Sequence, residues 1–327
     1  MSKETITKKL SFVIFLIICG GLFVACSPVL SSQTANDNSA IKKATRWGNA
    51  EVVGTIKTDE ITESSGLVAS KCQSNIFWTH NDSGDGAFIF ALDEKGEKLG
   101  TFEVEDAKNR DWEDIGTFKT VGGECFLYIG DIGNNVRVRD ESIIYRVKEP
   151  TVTAADKSSD KKHPSKTEDA QKIKFEYPDI RHDAETLFVH PQTGDVYILT
   201  KRLSGASGVY KLSKNYDVRK TNPLEKIADF TVPAIPNGFL TGGDISADGK
   251  RVVVCDYFAA YEITLPDAAQ NFDEIWKQKP TLIQTGKRKQ GEAVSYSPDG
   301  EAIFLTSVGF CFQISSKFCA ASGRVIS

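Results

Sequence analysis

Apolar residues come along this chain in short runs rich in Val, Ile, Phe and Tyr, separated by clusters of Gly, Asp, Asn and Pro. Helical periodicity is nearly absent, so the runs read as strands. They also recur in a fixed order. A first strand opens on small or acidic residues: "SSGLVAS" at 64–70, "EDIGTF" at 113–118, "AETLFVH" at 184–190, "GDISAD" at 243–248 and "GEAVSYS" at 291–297. A turn follows, then a second strand: "IFWTH", "CFLYIG", "VYILT", "RVVVC" and "AIFLT". Third strands follow ("AFIFALD", "SIIYRV", "GVYKLS", "AAYEIT", "CFQIS"), and fourth strands are "EKLGTFEV", "KIKFEY", "EKIADFTV" and "PTLIQT".

Four-stranded units repeating every ~50 residues predict an all-β propeller. The repeat predicts five blades of antiparallel strands over residues 50–327, with six blades as the alternative count. The fifth unit lacks a fourth strand, and "EVVGTIKT" at 51–58 has the character to supply it, closing the ring with the N-terminal strand. The segment 151–171, "TVTAADKSSDKKHPSKTEDAQ", has almost nothing apolar to bury and is expected to be disordered.

The repeat sorts the connections between two faces. Plain turns such as "PQTGD" and "SPDGE" fall on one face. The other face, at the channel mouth, collects the acids that begin the first strands and the polar residues that end the second ones. Carboxylates brought to one axis repel each other unless a cation or protons offset them, and several hard oxygen ligands suit Ca²⁺ or another hard divalent cation. Asp114, Glu185, Asp244 and Glu292 are the expected metal ligands. His80, Asp82, Glu113, Asp131, Lys201 and Arg202 are the expected catalytic or substrate-holding residues. "NDSGDG" at 81–86 is a loop at this rim, and it is no EF-hand, because Leu92 stands where that loop needs a bidentate Glu. For any one of these acids, capping a backbone amide is an equally good account. Trp112 reads as packing between blades.

The N-terminus reads separately. A lead with Lys3, Lys8 and Lys9 precedes the short apolar run "LSFVIFLIICGGLFVA" and Cys26. This layout predicts a secretory signal over residues 1–25, with a transmembrane anchor as the rival reading of a run that is short and interrupted by Gly20 and Gly21. "LFVACS" resembles the lipobox of bacterial lipoproteins, which implies lipidation of Cys26. Residues 26–49 then form a polar tether. The expected location is the bacterial envelope, at the outer membrane in preference to the inner one in a Gram-negative cell. The formal charge of −4 gives no electrostatic reason to expect nucleic-acid binding. Past the signal and Cys26 five cysteines remain, and their spacing fits no zinc motif. Cys72 and Cys125 lie near corresponding turns of neighbouring units and are expected to pair; Cys311 and Cys319 are a second candidate pair.

The ordered motifs "SSGLVAS", "WTHNDSGDGAFIFALD", "DWEDIGTF", "YIGDIGNN", "DAETLFVH", "YILTKR" and "QGEAVSYSPDG" resemble an uncharacterised family of secreted bacterial β-propeller proteins. The resemblance implies the fold and export, and no activity. Cys255–Asp256 and the "TSVG" run depart from that pattern. More distantly the chain is similar to calcium-dependent propeller hydrolases: apyrases, phytases and lactonases. Two readings follow. One is a metal-dependent hydrolase of a small phosphorylated or lactone-like ligand; the other is a non-catalytic propeller that binds a ligand or protein partner at the same mouth. In both the protein is a monomer held to the membrane by its lipid.

Overall fold

The computed structural model describes residues 47–286, 288 and 290–307, and the backbone of the strand 311–316. The signal, Cys26, most of the tether and the tail that holds Cys319 lie outside the described residues.

In chain order the strands are β1 Glu51–Thr55, β2 Ser64–Ala69, β3 Phe77–Asn81, β4 Phe88–Leu92, β5 Lys98–Glu103, β6 Trp112–Lys119, β7 Cys125–Asp131, β8 Ser142–Lys148, β9 Ser165–Lys166, β10 Gln171–Glu176 and β11 Ala184–Val189. They continue as β12 Val196–Thr200, β13 Ser207–Leu212, β14 Asn222–Pro223, β15 Glu225–Phe230, β16 Gly242–Ile245, β17 Arg251–Cys255, β18 Ala260–Thr264, β19 Thr281–Ile283, β20 Val294–Tyr296, β21 Ala302–Ser307 and β22 Cys311–Ser316.

These strands make five sheets, and the protein is all-β in a β-propeller arrangement. The first strands β2, β6, β11, β16 and β20 each touch the next, and β20 touches β2 again. Each sheet runs outward from there. In the last sheet β1 pairs antiparallel with β22, Glu51 opposite Ile314 and Thr55 opposite Cys311, so the N-terminal strand closes the ring as the repeat implies. The core lies between sheets. Trp78, Trp112 and Tyr145 fill the space between the first and second sheets, and Trp112 meets both His80 and Tyr145, which makes it a packing residue.

Two expectations are corrected. Residues 151–171 carry structure: a 3-10 helix at Ala154–Ser158, and β9, which pairs parallel with the outer strand β5 of the first sheet. Polar contacts order this segment. Asp156 accepts from the Thr153 amide and hydroxyl, each at 2.7 Å, and Ser159 Oγ accepts from the Thr101 amide at 2.8 Å. It covers an outer strand edge that would otherwise offer unpaired amides. The folded part also reaches further back than the expected boundary at residue 50. Trp47 is buried against Tyr296 and donates to Glu262 at 3.1 Å, so the folded domain begins before residue 50.

Cys72 and Cys125 form a disulfide with Cα atoms 6.1 Å apart, joining the first-to-second-strand turns of neighbouring sheets. It closes a loop spanning a sequence separation of 53 residues, and loops of that size are stabilised by roughly 2–4 kcal/mol. Replacing both cysteines with serine should lower the melting temperature, and reductant should then have no further effect. Finding Cys72 and Cys125 as free thiols in the unreduced exported chain would refute the bond.

Candidate functional site

First strands in a propeller have an inner edge with no neighbouring strand to pair with, so their amides need other acceptors. Asp114 and Asp244 supply them. Asp114 Oδ1 accepts from the Ile115 amide at 2.9 Å, and Oδ2 accepts from the amides of Leu187 at 2.9 Å and Gly243 at 3.2 Å. One carboxylate therefore laces β6, β11 and β16. Asp244 accepts from the Ile245 and Tyr296 amides at 2.8 and 2.9 Å and from Ser295 Oγ at 3.0 Å. Ser295 Oγ in turn accepts from the Ala69 amide at 3.0 Å. These two acids, expected as metal ligands, are committed to backbone amides.

β-Bulges explain the difference. The register shifts by one residue between Ser64 and Gly66, between Trp112 and Asp114, and between Ala184 and Thr186. The bulged residues are Ser65, Glu113 and Glu185, and a bulge re-aims its side chain. Glu185 thus corresponds to Glu113, and Asp114 to Thr186. The fourth sheet has no such shift, and Asp244 lies deeper, where Lys71 acts on it electrostatically. Lys71 reaches in from the opposite face and donates to the Thr117 carbonyl at 3.1 Å.

What gathers at the mouth is Glu113, Glu185 and Glu292, all buried, with Asp82, Asp111 and Asp183 beside them. One carboxylate oxygen each from Asp82, Asp111 and Glu113 lies within 4.8 Å of the others, and the same holds for Glu113, Asp183 and Glu185. Gly133 makes room for the pair at the centre. A Cβ there would stand 2.0 Å from Glu113 Oε1 and 2.5 Å from Asp111 Oδ2. Lys201 is paired with Glu185 and lies 3.3 Å from Tyr257 Oη, with its ammonium 4.7 Å from the Phe239 ring centre.

The titration behaviour follows from burial and like charge. Burial, then Glu185, Asp82 and Asp111, hold Glu113 well above the carboxylate range. Burial, with Asp82 and Asp183, pushes Asp111 up to about 7 against the pull of Arg139. Burial pushes Glu292 up to about 7, opposed by Lys201 and Gln290. Burial raises Glu185 as well, with Lys201 as the main opposing influence. Burial disfavours the Lys201 charge, but Glu185, Tyr257, Glu292 and Glu113 more than offset that, and its pKa stands well above the usual value. Among these acids Glu185, which touches the ammonium, is the one best placed to keep its charge.

The remaining expected site residues divide. Asp82 belongs to the cluster. Asp131 is buried in an ion pair with Arg139 at 2.9 Å and accepts from the Asp111 amide, so it braces the loop. His80 is a core residue: Nδ1 faces the Asn81 carbonyl at 3.0 Å, the ring packs on Trp112, and burial pushes its pKa down to about 4, which takes it out of any role as a base at the mouth. Asn81 holds the amides of Thr62 and Glu63 at 2.9 and 3.1 Å, so "NDSGDG" begins as a brace and reaches the cluster only through Asp82. Arg202 bridges through its backbone to Gly238, and its charge acts on His182 and Tyr210. Asp111 was missed. Its signal is its place two residues before Glu113, which puts the two on one side of an extended chain.

No family model matches this chain, and no curated protein matches it. Among solved structures, hydrazine synthase of Kuenenia stuttgartiensis is similar at 14% identity and a TM-score of 0.37, over 76% of this chain and 56% of that one. The chain spans little more than half of that protein's length, and a likeness of this degree carries no argument about activity. The family resemblance read from the motifs stands on those motifs alone.

A pair of substitutions separates laced acids from clustered ones. Asp114→Asn places amide hydrogens against backbone donors and should cost roughly 2–4 kcal/mol in denaturant unfolding, whereas Glu113→Gln relieves repulsion and should leave stability equal or higher. A stable Asp114→Asn variant would show that the lacing is dispensable. The pH dependence has a defined sign. Asp111 and Glu292, at about 7, and Asp244, at about 6, hold protons in the folded chain after the unfolded chain has released them. Their contribution is present at low pH and is lost as pH rises from about 4 through about 7. In chelator the melting temperature should fall between pH 5 and pH 8; a rise over that interval would contradict the assignment.

Proposed function

We propose that this protein is an exported, lipid-anchored, five-bladed propeller whose mouth binds Ca²⁺ or a similar hard divalent cation, and with it a small phosphorylated or lactone-like ligand. The observation that carries this is the convergence of Asp82, Asp111, Glu113, Asp183 and Glu185 into two overlapping groups of oxygens that share Glu113. Hard oxygen donors in that number suit Ca²⁺ or Mg²⁺ and not zinc. This set replaces Asp114 and Asp244, which are occupied elsewhere, and keeps Glu185. A cation there offsets the burial and the like charge that raise the pKa values of Glu113 and Asp111. The Cys72–Cys125 disulfide supports export to an oxidising compartment.

Hydrolysis is the second reading, and the placing of Lys201 beside the acid cluster favours it. A bound cation supplies Lewis-acid polarisation and a more acidic water. Lys201, held between Glu185 and Tyr257, supplies positive charge for an anionic group. If hydrolysis does not occur, the same mouth serves as a binding module.

Calcium titration decides the cation. The melting temperature of the exported chain should rise with the logarithm of calcium concentration once the site is saturated. Glu113→Gln with Glu185→Gln should abolish the rise, whereas Asp256→Asn, whose parent side chain holds the Phe258 and Ala259 amides at 2.7 Å, should lower stability and keep it. A melting temperature unchanged from chelator to millimolar calcium sinks the metal reading. Phosphoester and lactone substrates, assayed with and without the metal, then separate enzyme from binding module.

A further inference from the structure

Six large apolar side chains, Val136, Val138, Ile180, Leu203, Ile235 and Phe258, are between 58% and 101% exposed, and all sit on loops of the mouth face. The loops are joined into one arc. Arg181 Nε donates to Asp140 at 2.7 Å, tying the Ile180 loop to the Val136 loop. The Lys201 amide donates to the Asp183 carbonyl at 2.9 Å, and the Arg202 amide to the Gly238 carbonyl at 2.8 Å, bringing in the Leu203 and Ile235 loops. Phe239 packs edge-on against Tyr257 with centroids 4.9 Å apart, adding the Phe258 loop. We propose that this arc is a docking surface for a protein partner that presents an apolar patch flanked by carboxylates.

Large apolar side chains exposed together on one face mark interaction sites in folded proteins. The arc is also held in shape. Arg137 sits at φ +52°, a conformation that side chains other than glycine seldom adopt. Asn134 fixes it by accepting the Arg137 amide on its carbonyl at 2.7 Å, and the Val138 and Arg139 amides on Oδ1 at 2.9 and 3.1 Å. Val136 and Val138 are therefore presented by a loop whose backbone is pinned by hydrogen bonds to Asn134, which lowers the ordering cost of association. Arg137 and Arg202 stand among the apolar residues, and arginine with apolar side chains is the composition of interface centres. Their charge selects carboxylates on the partner.

A membrane fits less well, because the exposed apolar side chains come singly on separate loops and not along one amphipathic helix. A second copy would set arginine against arginine across a two-fold axis.

A phage-displayed random peptide library panned on the exported chain tests this. The expected peptides combine aromatic or aliphatic residues with Asp or Glu. Their affinity should fall at least ten-fold with Leu203→Asp or Phe258→Asp, fall with added salt, and stay unchanged with Val121→Asp on the far face. Val136→Asp is a further arc variant if either of the first two folds poorly. No enrichment, peptides without acidic residues, or affinity indifferent to the arc variants would overturn the proposal. So would binding to phosphatidylglycerol vesicles, or self-association in sedimentation, that the same substitutions abolish.

Discussion

The structure depends on how the inner edges of five first strands are satisfied. A strand at a propeller's axis has a neighbour on one side only, and the other side faces the channel. Burying its amides there without acceptors would cost roughly 1–3 kcal/mol for each unsatisfied group. Asp114 answers this for three strands at once, and Asp244 with Ser295 carries the chain of acceptors from β16 through β20 to β2. Both acids are buried, and burial raises their pKa values against the amides that oppose it. Carboxyl oxygens at the axis are thus a structural requirement before they are a chemical one.

That requirement separates two kinds of buried acid. Asp114 has its oxygens filled by fixed N–H donors. Glu113, one residue earlier and turned the other way by a bulge, has other carboxylates as its chief electrostatic neighbours and Lys201 as an opposing charge. Donors fixed by the backbone cannot leave, whereas protons and cations can. The mouth is therefore the part of the ring whose charge responds to its surroundings, and Gly133 keeps the central pair close enough to share whatever enters.

The fold was legible because strand order depends on apolar runs and turn residues, which repeat openly in the sequence. Closure by "EVVGTIKT" was legible for the same reason, since a missing fourth strand and a spare strand imply each other. The site was only partly legible. Aligning "EDIG" with "GDIS" by residue type placed Asp114 beside Asp244 and Glu185 as ligands, but a one-residue bulge is invisible to such an alignment and exchanges Glu113 for Asp114. His80 is among the expected catalytic or substrate-holding residues, yet nothing in "WTHND" reveals that its ring packs against Trp112. Residues 151–171 lacked apolar content and were read as disordered, because composition reports what a segment can bury and not which side chains its amides can reach.

The two faces of the ring differ in how they are held, and this bears on what each can do. On the far face the Cys72–Cys125 bond ties two neighbouring sheets, Lys71 fills the axis beneath Asp244, and Trp47 seals the seam where the chain enters. These are covalent, buried or aromatic contacts, and they leave little freedom. The mouth face is held by hydrogen bonds between loops and by ion pairs such as Arg139–Asp131, with apolar tips and arginines turned outward. A rigid base with a loop-built opposite face is the general way folds separate stability from recognition. Here the same antiparallel connectivity produces both, because each sheet sends one set of connections to each face. Changes in the mouth loops can therefore leave undisturbed the amide lacing that keeps the ring closed.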